Sequence, residues 1–123
     1  MTLTGAQLKT VLEQQFSAST NDERPRLLGV SKGFSYSWDA AKPRGERINA
    51  SSMKLNGMHI QSDLQYRVTA NSFVAGGSEG YLMFPEGSER QVGMLDLEAL
   101  VQFFATNSPY TPPSLGTRIN RLN

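Results

Sequence analysis

The sequence of 123 residues contains no cysteine and a single histidine, His59. Without cysteine the chain can form neither a disulfide bond nor a thiolate metal site. A metal centre needs several converging ligands, which one histidine cannot supply. We interpret His59 as a hairpin side chain that faces solvent or a polar neighbour, so a Ser-His-Asp or Cys-His arrangement is not expected either. We therefore predict no metal ion and no catalytic residue in this chain.

Strong charge and long apolar runs are also lacking. The formal net charge is +1, which provides no overall attraction to nucleic acid or to an acidic membrane. No apolar run approaches the roughly 20 residues of a transmembrane helix, and no signal peptide opens the chain. The length corresponds to one domain at most. We predict one domain over residues 1–123, with no nucleic-acid partner and no membrane span.

Two segments carry the signals of an α-helix. Thr4 and Gln7 have the spacing of a capping box, and the apolar residues that follow recur on one helical face (Leu8, Val11, Leu12 and Phe16). Three polar residues of this segment are predicted to face elsewhere (Lys9, Glu13 and Gln14). Asp96 is predicted to cap a second helix with its own apolar stripe. The proline-containing stretch 106–116 that follows is predicted to be an extended tail.

Short apolar or alternating runs predict five or six strands. The candidates are Leu27–Val30, Phe34–Asp39, Arg47–Ala50 and Ser52–Leu55 (two runs that can form one continuous strand), Met58–Ile60, Tyr66–Ala70 and Tyr81–Phe84. The dipeptide Asn56-Gly57, between two of these runs, is a strong signal for a tight hairpin. The combination predicts an α+β fold, with a mixed, mainly antiparallel sheet and two helices packed against it.

An aromatic row in the first long strand has two interpretations. Phe34, Tyr36 and Trp38 alternate with small polar residues and therefore share one face of the strand. Such a row could serve as a stacking platform for single-stranded nucleic acid. The positive charges around it are few, however, so we favour a row that packs beneath a helix.

A glycine-rich stretch at residues 71–81 is the most distinctive feature of the sequence. It contains three glycines, which allow positive φ and let other atoms approach the backbone closely. Phe73 stands just before the glycines and Glu79 stands among them. An aromatic face and a carboxylate acceptor are the contacts that a base and a sugar diol would require. The alternative is a tight strand-to-strand turn with Phe73 in the core.

Four blocks of the sequence, in order along nearly the whole chain, resemble the C-terminal domain of the 5'-nucleotidase and UDP-sugar hydrolase family. The blocks are Leu3-Thr4-Gly5-Ala6-Gln7-Leu8-Lys9 with Leu12-Glu13; the spaced residues Leu28, Ser31, Gly33, Phe34, Tyr36, Asp39, Pro43, Gly45, Arg47 and Ile48; Tyr66, Val68, Asn71 and Phe73; and Asp96 to Val101 with Arg118-Ile119. An ordered set of this kind is far more specific than any single motif.

The resemblance implies a role in the hydrolysis of phosphate esters. Members of the family are secreted or periplasmic two-domain enzymes of nucleotide catabolism. Their N-terminal metallophosphoesterase domain holds two divalent metal ions, which activate water and stabilise phosphoryl charge. Their C-terminal domain stacks the base of the substrate between two phenylalanines and holds the ribose with an acid in the glycine loop. An extracytoplasmic location is expected on the same ground.

The resemblance assigns substrate-binding roles to individual residues. Phe73 matches the second stacking phenylalanine, and Glu79 stands where the family usually has aspartate. Gly77 and Gly80 flank that acid in the sequence Gly77-Ser78-Glu79-Gly80-Tyr81. Ser78 replaces a glycine of the family pattern, and the acid is one methylene longer. Asn71 and Tyr81 are expected to shape the loop.

The chain resembles only about the second half of that domain. The first stacking phenylalanine, the segment with asparagine and arginine near the substrate, and the metallophosphoesterase domain are expected in a preceding part. We therefore expect no phosphatase activity from this chain alone and weak nucleoside binding at best. We also expect exposed apolar surface, and hence self-association, where the preceding part would pack.

Two further functions remain open. One is the same domain in a related hydrolase, such as a UDP-sugar hydrolase, a cyclic-nucleotide phosphodiesterase or a sulfur-oxidation hydrolase, because the acid of the loop differs. The other is a non-catalytic binding or structural module with this fold.

Overall fold

The computed structural model describes residues 1–16, 25–114, 116 and 118–123. The polar composition of residues 17–25 predicts a loop, and most of that segment lies outside the described residues. The described strands are β1 (Thr2–Thr4), β2 (Phe34–Asp39), β3 (Ile48–Leu55), β4 (Met58–His59), β5 (Gln65–Arg67) and β6 (Ile119–Leu122). The described helices are α1 (Gly5–Gln14), α2 (Ser72–Ala75) and α3 (Asp96–Asn107), and 3₁₀ turns cover Ser78–Gly80 and Phe84–Glu86.

The described strands form two sheets. β1 and β5 pair in antiparallel fashion, and a four-stranded sheet has the order β4-β3-β2-β6. All pairs of the larger sheet are antiparallel except β2 with β6, which run parallel. The prediction of an α+β fold with a mainly antiparallel arrangement is confirmed, although the strands divide into two sheets and a third, short helix is present.

Helix α1 begins at the predicted capping box. The Gln7 amide donates to Thr4 Oγ1 at 3.2 Å, and the Thr4 amide donates to Gln7 Oε1 at 2.8 Å. The apolar stripe of α1 then enters two core clusters. One contains Leu12, Phe16, Tyr36, Trp38, Ile48 and Met53, and the other contains Leu3, Val11, Val74, Tyr81 and Phe84. Because Leu8 packs against both clusters, α1 joins the larger sheet to the glycine-rich stretch.

The aromatic row of β2 lies in the core. Tyr36 and Trp38 are buried, and Phe34 packs partly buried against the same cluster. The Trp38 ring lies 5.0 Å from the ring of Phe16, centroid to centroid. These rings are therefore covered by protein, which removes the basis for a nucleic-acid stacking platform.

The prediction that Glu13 faces away from the core is wrong. Its carboxylate is buried and accepts hydrogen bonds from the amides of Arg47 (3.1 Å) and Ile48 (2.8 Å), at the start of β3. Lys9 Nζ lies 3.5 Å from Glu13 Oε1. Gln14 also has a partner, because its Oε1 accepts from the Met83 amide at 3.1 Å. The side chains of Glu13 and Gln14 thus accept hydrogen bonds from backbone amides far away in the sequence. Helical periodicity describes only neighbouring residues, so it could not reveal these contacts.

The hairpin predicted at Asn56-Gly57 is confirmed. Asn56 and Gly57 have φ values of 50° and 84°, and they connect the antiparallel strands β3 and β4. Positive φ at both central positions is the geometry that asparagine and glycine favour in two-residue hairpins. His59 lies exposed on β4, as predicted.

Two predicted strands are absent. Residues 27–30 have no regular structure, and Tyr81–Phe84 forms turns instead of a strand. Tyr81 and Phe84 are both buried in the same cluster. A spacing of three residues brings side chains to one side of a 3₁₀ turn, whereas in a strand it would send them to opposite faces. Burial of both side chains in one cluster therefore favours a turn over a strand at Tyr81–Phe84.

The second predicted helix exists, but it does not pack against a sheet. Leu95, and not Asp96, occupies the N-cap position, while Asp96 Oδ1 accepts from the Leu97 amide at 2.8 Å. No residue of α3 is buried. The chain beyond the predicted tail ends in β6, a strand that was not predicted because Ile119–Leu122 has neither an apolar run nor strict alternation of apolar and polar residues. In the described part of the chain, no helix has the length and apolarity needed to cross a membrane.

Glu13→Gln should lower the free energy of unfolding by roughly 1.5–3 kcal/mol, measured by chemical denaturation at pH 7. The amide cannot accept on both sides, so one backbone N–H would face the new NH₂ group. Glu46→Gln, the same change at an exposed position, is the control and should change stability by less than about 0.5 kcal/mol. Equal effects of the two changes would contradict the assigned role of Glu13.

Candidate functional site

The glycine-rich stretch 71–81, called the glycine loop below, begins with the short helix α2. Asn71 is its N-cap, and Asn71 Oδ1 accepts from the Val74 amide at 3.0 Å. The Gly76 amide donates to the Ser72 carbonyl at 3.1 Å and closes the helix. Asn71 therefore has the shaping role expected of it, and the segment is a helix followed by a 3₁₀ turn instead of a turn between two strands.

Three residues of the glycine loop have left-handed backbone conformations. Gly77, Glu79 and Gly80 have φ values of 91°, 54° and 84°. At Gly77 an added Cβ would lie 3.2 Å from Pro85 Cγ, so a side chain there would be crowded as well as strained. For Glu79 the left-handed conformation costs about 1–2 kcal/mol, because Cβ approaches the backbone carbonyl. Strain of this kind is concentrated at functional sites, which makes Glu79 a candidate functional residue.

Two buried aromatic rings and one arginine hold the glycine loop in place. Tyr81 and Phe84 are buried, with their ring centroids 6.0 Å apart. Arg90 donates from Nη1 to the Phe84 carbonyl and from Nη2 to the Ala75 carbonyl, each at 2.8 Å. One guanidinium thus joins the end of α2, within the loop, to the second 3₁₀ turn that follows the loop.

Phe73 projects from this anchored loop into solvent. Its side chain is 59% exposed, whereas the next two residues, Val74 and Ala75, are buried. The alternative with Phe73 in the core is therefore wrong. Glu79 is also exposed, and Gly77 and Gly80 provide the backbone turns on either side of it. The loop thus presents an apolar ring and a carboxylate to solvent from one short, well-anchored segment.

The pKa of the Tyr81 phenol is raised by its surroundings in the glycine loop. Burial raises the pKa of the Tyr81 phenol, and the negative charge of Glu79 raises it further. Tyr81 is therefore a neutral ring that supports the loop, consistent with the shaping role expected for it.

An open groove lies behind the glycine loop, between α1 and the segment 66–71. Its volume is about 540 Å³, and apolar side chains form most of its walls, including Leu8, Val68 and Val74. Asn71, the cap of α2, is among the residues that line it.

The described ranges contain no cluster of three or more histidine, cysteine, aspartate or glutamate side chains that could hold a metal ion. The groups that the glycine loop offers to a ligand are an aromatic face, a carboxylate and backbone atoms near glycine. This set suits a neutral ring system that carries hydroxyl groups.

The sequence profile of the family described as "5'-nucleotidase, C-terminal domain" matches residues 1–86. That match covers more than half of the chain and includes the entire glycine loop. The chain belongs to this family. The resemblance identified from the four sequence blocks is thereby confirmed.

Individual relatives agree with this membership. The chain is 30% identical over 121 residues to a 5'-nucleotidase-related protein of Glossina morsitans morsitans, an alignment covering 93% of the chain and 22% of the relative. It is 30% identical over 125 residues to the trifunctional nucleotide phosphoesterase protein YfkN of Bacillus subtilis (strain 168), covering 98% of the chain and 8% of the relative.

A solved structure extends the comparison to the fold. The 5'-nucleotidase precursor from Thermus thermophilus superposes with a TM-score of 0.81 at 26% identity, over 100% of this chain and 24% of that one. The chain spans less than a quarter of the length of each of these three relatives.

The raised pKa of Tyr81 predicts a dependence of stability on alkaline pH. A pKa higher in the folded than in the unfolded state means that folding favours the neutral phenol. This contribution is complete below the unfolded-state value of about 10 and is lost as the pH rises through the folded-state value. Tyr81→Phe should therefore be close to neutral at pH 7 and should reduce the loss of stability above about pH 10.

Denaturation midpoints at a series of pH values between about 7 and 11.5 would measure this effect. Tyr110→Phe removes a phenol from a 45% exposed side chain and is the matched control. If the two variants lost stability in parallel with the unmodified chain, the proposed environment of Tyr81 would be incorrect.

Proposed function

We propose that this chain is the nucleoside-binding part of a longer phosphohydrolase of the 5'-nucleotidase type. The observation that carries the proposal is the exposed Phe73 ring on an anchored loop, at the position of a stacking phenylalanine in the family. Large apolar side chains are normally placed in the core. Exposure alone does not mark a site, since Leu82 beside the loop is 68% exposed; Phe73 is singled out because the resemblance to the family assigns stacking to its position.

In this proposal the base of the substrate stacks on Phe73. Stacking of one base on one aromatic ring contributes about 1–3 kcal/mol. A second phenylalanine, in a preceding part of the polypeptide, completes the sandwich. Because 1 mM affinity corresponds to about 4 kcal/mol, this chain alone binds a nucleoside more weakly than about 1 mM.

Glu79 accepts hydrogen bonds from the two hydroxyl groups of the ribose. A carboxylate can accept from both, and hydrogen bonds to charged groups are stronger than those between neutral groups. The left-handed backbone at Glu79 is the strain that the loop retains in order to direct this side chain outward. Gly77 and Gly80 allow the sharp turns that bring the carboxylate to the exposed side.

The chemical step takes place outside this chain. We propose that a metallophosphoesterase domain of the longer polypeptide holds two divalent metal ions, which activate water and neutralise phosphoryl charge. The role of the residues in this chain is to fix the nucleoside end so that phosphorus meets those metals. In this proposal the chain alone is inactive, and the whole protein acts outside the cytoplasm in nucleotide catabolism.

The substrate class is nucleoside phosphate esters, without restriction to one base. Stacking on a phenylalanine accepts every base, because each base has a flat π face. One relative is named as a trifunctional nucleotide phosphoesterase, which supports a broad substrate class. The longer Glu79 side chain in place of aspartate also favours tolerance at the ribose.

Amide NMR titration of the chain with adenosine, at concentrations up to about 10 mM, tests the binding role of the loop. We expect shifts confined to the glycine loop, with saturation incomplete. Phe73→Ala should abolish them, because it removes the stacking surface and leaves the buried Val74 and Ala75 in place. Leu82→Ala, at a 68% exposed position beside the loop, is the control and should leave the shifts unchanged.

Changes at Glu79 separate binding from folding. Glu79→Gly relieves the left-handed strain and should raise the free energy of unfolding by up to about 1 kcal/mol. It should also weaken the shifts with adenosine, while shifts with 2',3'-dideoxyadenosine, which lacks the diol, should be equal in both forms. Shifts that persist unchanged in both Phe73→Ala and Glu79→Gly would exclude the loop as the nucleoside site.

A further inference from the structure

The segment 88–90, which follows the second 3₁₀ turn, is attached to the smaller sheet. The Thr2 amide donates to the Ser88 carbonyl at 2.8 Å, and the Ser88 amide donates to the Thr2 carbonyl at 3.1 Å. Thr2 is buried on β1. The backbone therefore enters this segment from a fixed position at the edge of β1.

Side chains fix the next residue, Glu89. Its Oε2 accepts from Thr2 Oγ1 at 2.7 Å, and its carbonyl accepts from Arg67 Nη1 at 3.2 Å. Arg67 Nη1 also donates to Thr2 Oγ1 at 2.8 Å and lies 3.5 Å from Glu89 Oε2. Glu89 has a φ of 47°, a conformation that residues other than glycine adopt rarely. These contacts hold the backbone from which the next side chain, Arg90, extends.

The Arg90 guanidinium then reaches back to the glycine loop. Its two hydrogen bonds end on the carbonyls of Ala75 and Phe84. Ala75 is the last residue of α2, where carbonyls lack a partner within the helix. Because a guanidinium is planar and its N–H groups have fixed directions, two simultaneous bonds define the position of α2 relative to the second 3₁₀ turn.

The Phe73 ring depends on how α2 is oriented. This helix has four residues, and so short a helix is not stable without contacts to the rest of the protein. Its buried residues Val74 and Ala75 face the core, whereas Phe73 is 59% exposed. The core therefore does not hold the ring directly. Contacts to the backbone of α2, such as the one from Arg90, determine where the ring points.

We propose that Arg90 is a positioning residue of the nucleoside site. It holds α2 in the orientation in which the Phe73 ring and the Glu79 carboxylate can contact the same nucleoside. Arg90 acts through α2 and does not bind the nucleoside itself. It lies outside residues 1–86, the part of the chain that the family profile matches. This inference rests on the proposed function of the glycine loop.

A positioning role has a different signature from a stabilising one. If Arg90 only stabilised the fold, its loss would increase the unfolded fraction and leave binding by the folded molecules unchanged. If Arg90 orients α2, its loss reduces the fraction of folded molecules that can bind, and the apparent affinity falls by that fraction. A ring that is correctly oriented about one third of the time would bind about threefold more weakly.

Fluorine NMR of the chain made with 4-fluorophenylalanine observes the ring directly. The chain has six phenylalanines, and the signal of Phe73 is the one that Phe73→Ala lacks. Adenosine, added up to about 10 mM, should shift this signal in the unmodified chain. The shift per millimolar adenosine should be at least about threefold smaller in Arg90→Ala.

Arg90→Lys tests the requirement for two simultaneous bonds. Lysine keeps the positive charge but lacks the planar pair of N–H groups, so its response should lie between those of Arg90→Ala and the unmodified chain. Arg26→Ala, at another exposed arginine, is the matched control and should respond like the unmodified chain. The fluorescence of Trp38, the single tryptophan and a buried one, gives the folded fraction of each variant.

The outcomes separate this inference from the proposed function. If the Phe73 signal of the unmodified chain does not respond to adenosine, the nucleoside site is wrong and the role of Arg90 in it is wrong as well. If the unmodified chain and Arg90→Ala respond equally, the loop remains a nucleoside site but Arg90 does not position it. A response of Arg90→Ala that falls only in proportion to its folded fraction would also overturn the positioning role.

Discussion

The structure depends on two polar side chains at the end of α1 that reach across the fold. The carboxylate of Glu13 binds the amides at the start of β3, and the amide oxygen of Gln14 binds Met83 beside the glycine loop. These contacts fix α1 against the larger sheet on one side and against the loop on the other. Because α1 also contributes Val11 and Leu12 to the two core clusters, displacement of this helix would loosen both.

The same packing leaves the candidate site at the surface. Tyr81 and Phe84 are buried in the core cluster on which the glycine loop packs. Arg90 donates hydrogen bonds to the backbone carbonyls of Ala75 and Phe84. With the loop fixed in this way, Phe73 and Glu79 remain in solvent, where a nucleoside could reach them. A preformed site loses less conformational entropy on binding than a flexible one, which matters in the proposed function, where one ring supplies most of the affinity.

Local signals in the sequence predicted local structure well. The capping box of Thr4 and Gln7 and the hairpin at Asn56-Gly57 depend only on neighbouring residues, and both are present. The strand predicted at Tyr81–Phe84 was wrong because a distant core, and not local alternation, decides its conformation. The glycine-rich stretch drew attention to Phe73, and the family resemblance assigned it a stacking role. No sequence pattern could establish whether its ring was buried, since that depends on how the whole loop is anchored.

The proposed nucleoside site requires a glycine loop that is formed before any ligand binds. Amide hydrogen exchange in the ligand-free chain tests it most directly at Val74, Gly76, Gly77 and Tyr81, whose amides donate within the loop. We predict exchange at least about tenfold slower there than in the exposed segment 108–114. Equal exchange rates in the two segments would show that the loop opens freely, and the proposal of a preformed nucleoside site would then be wrong.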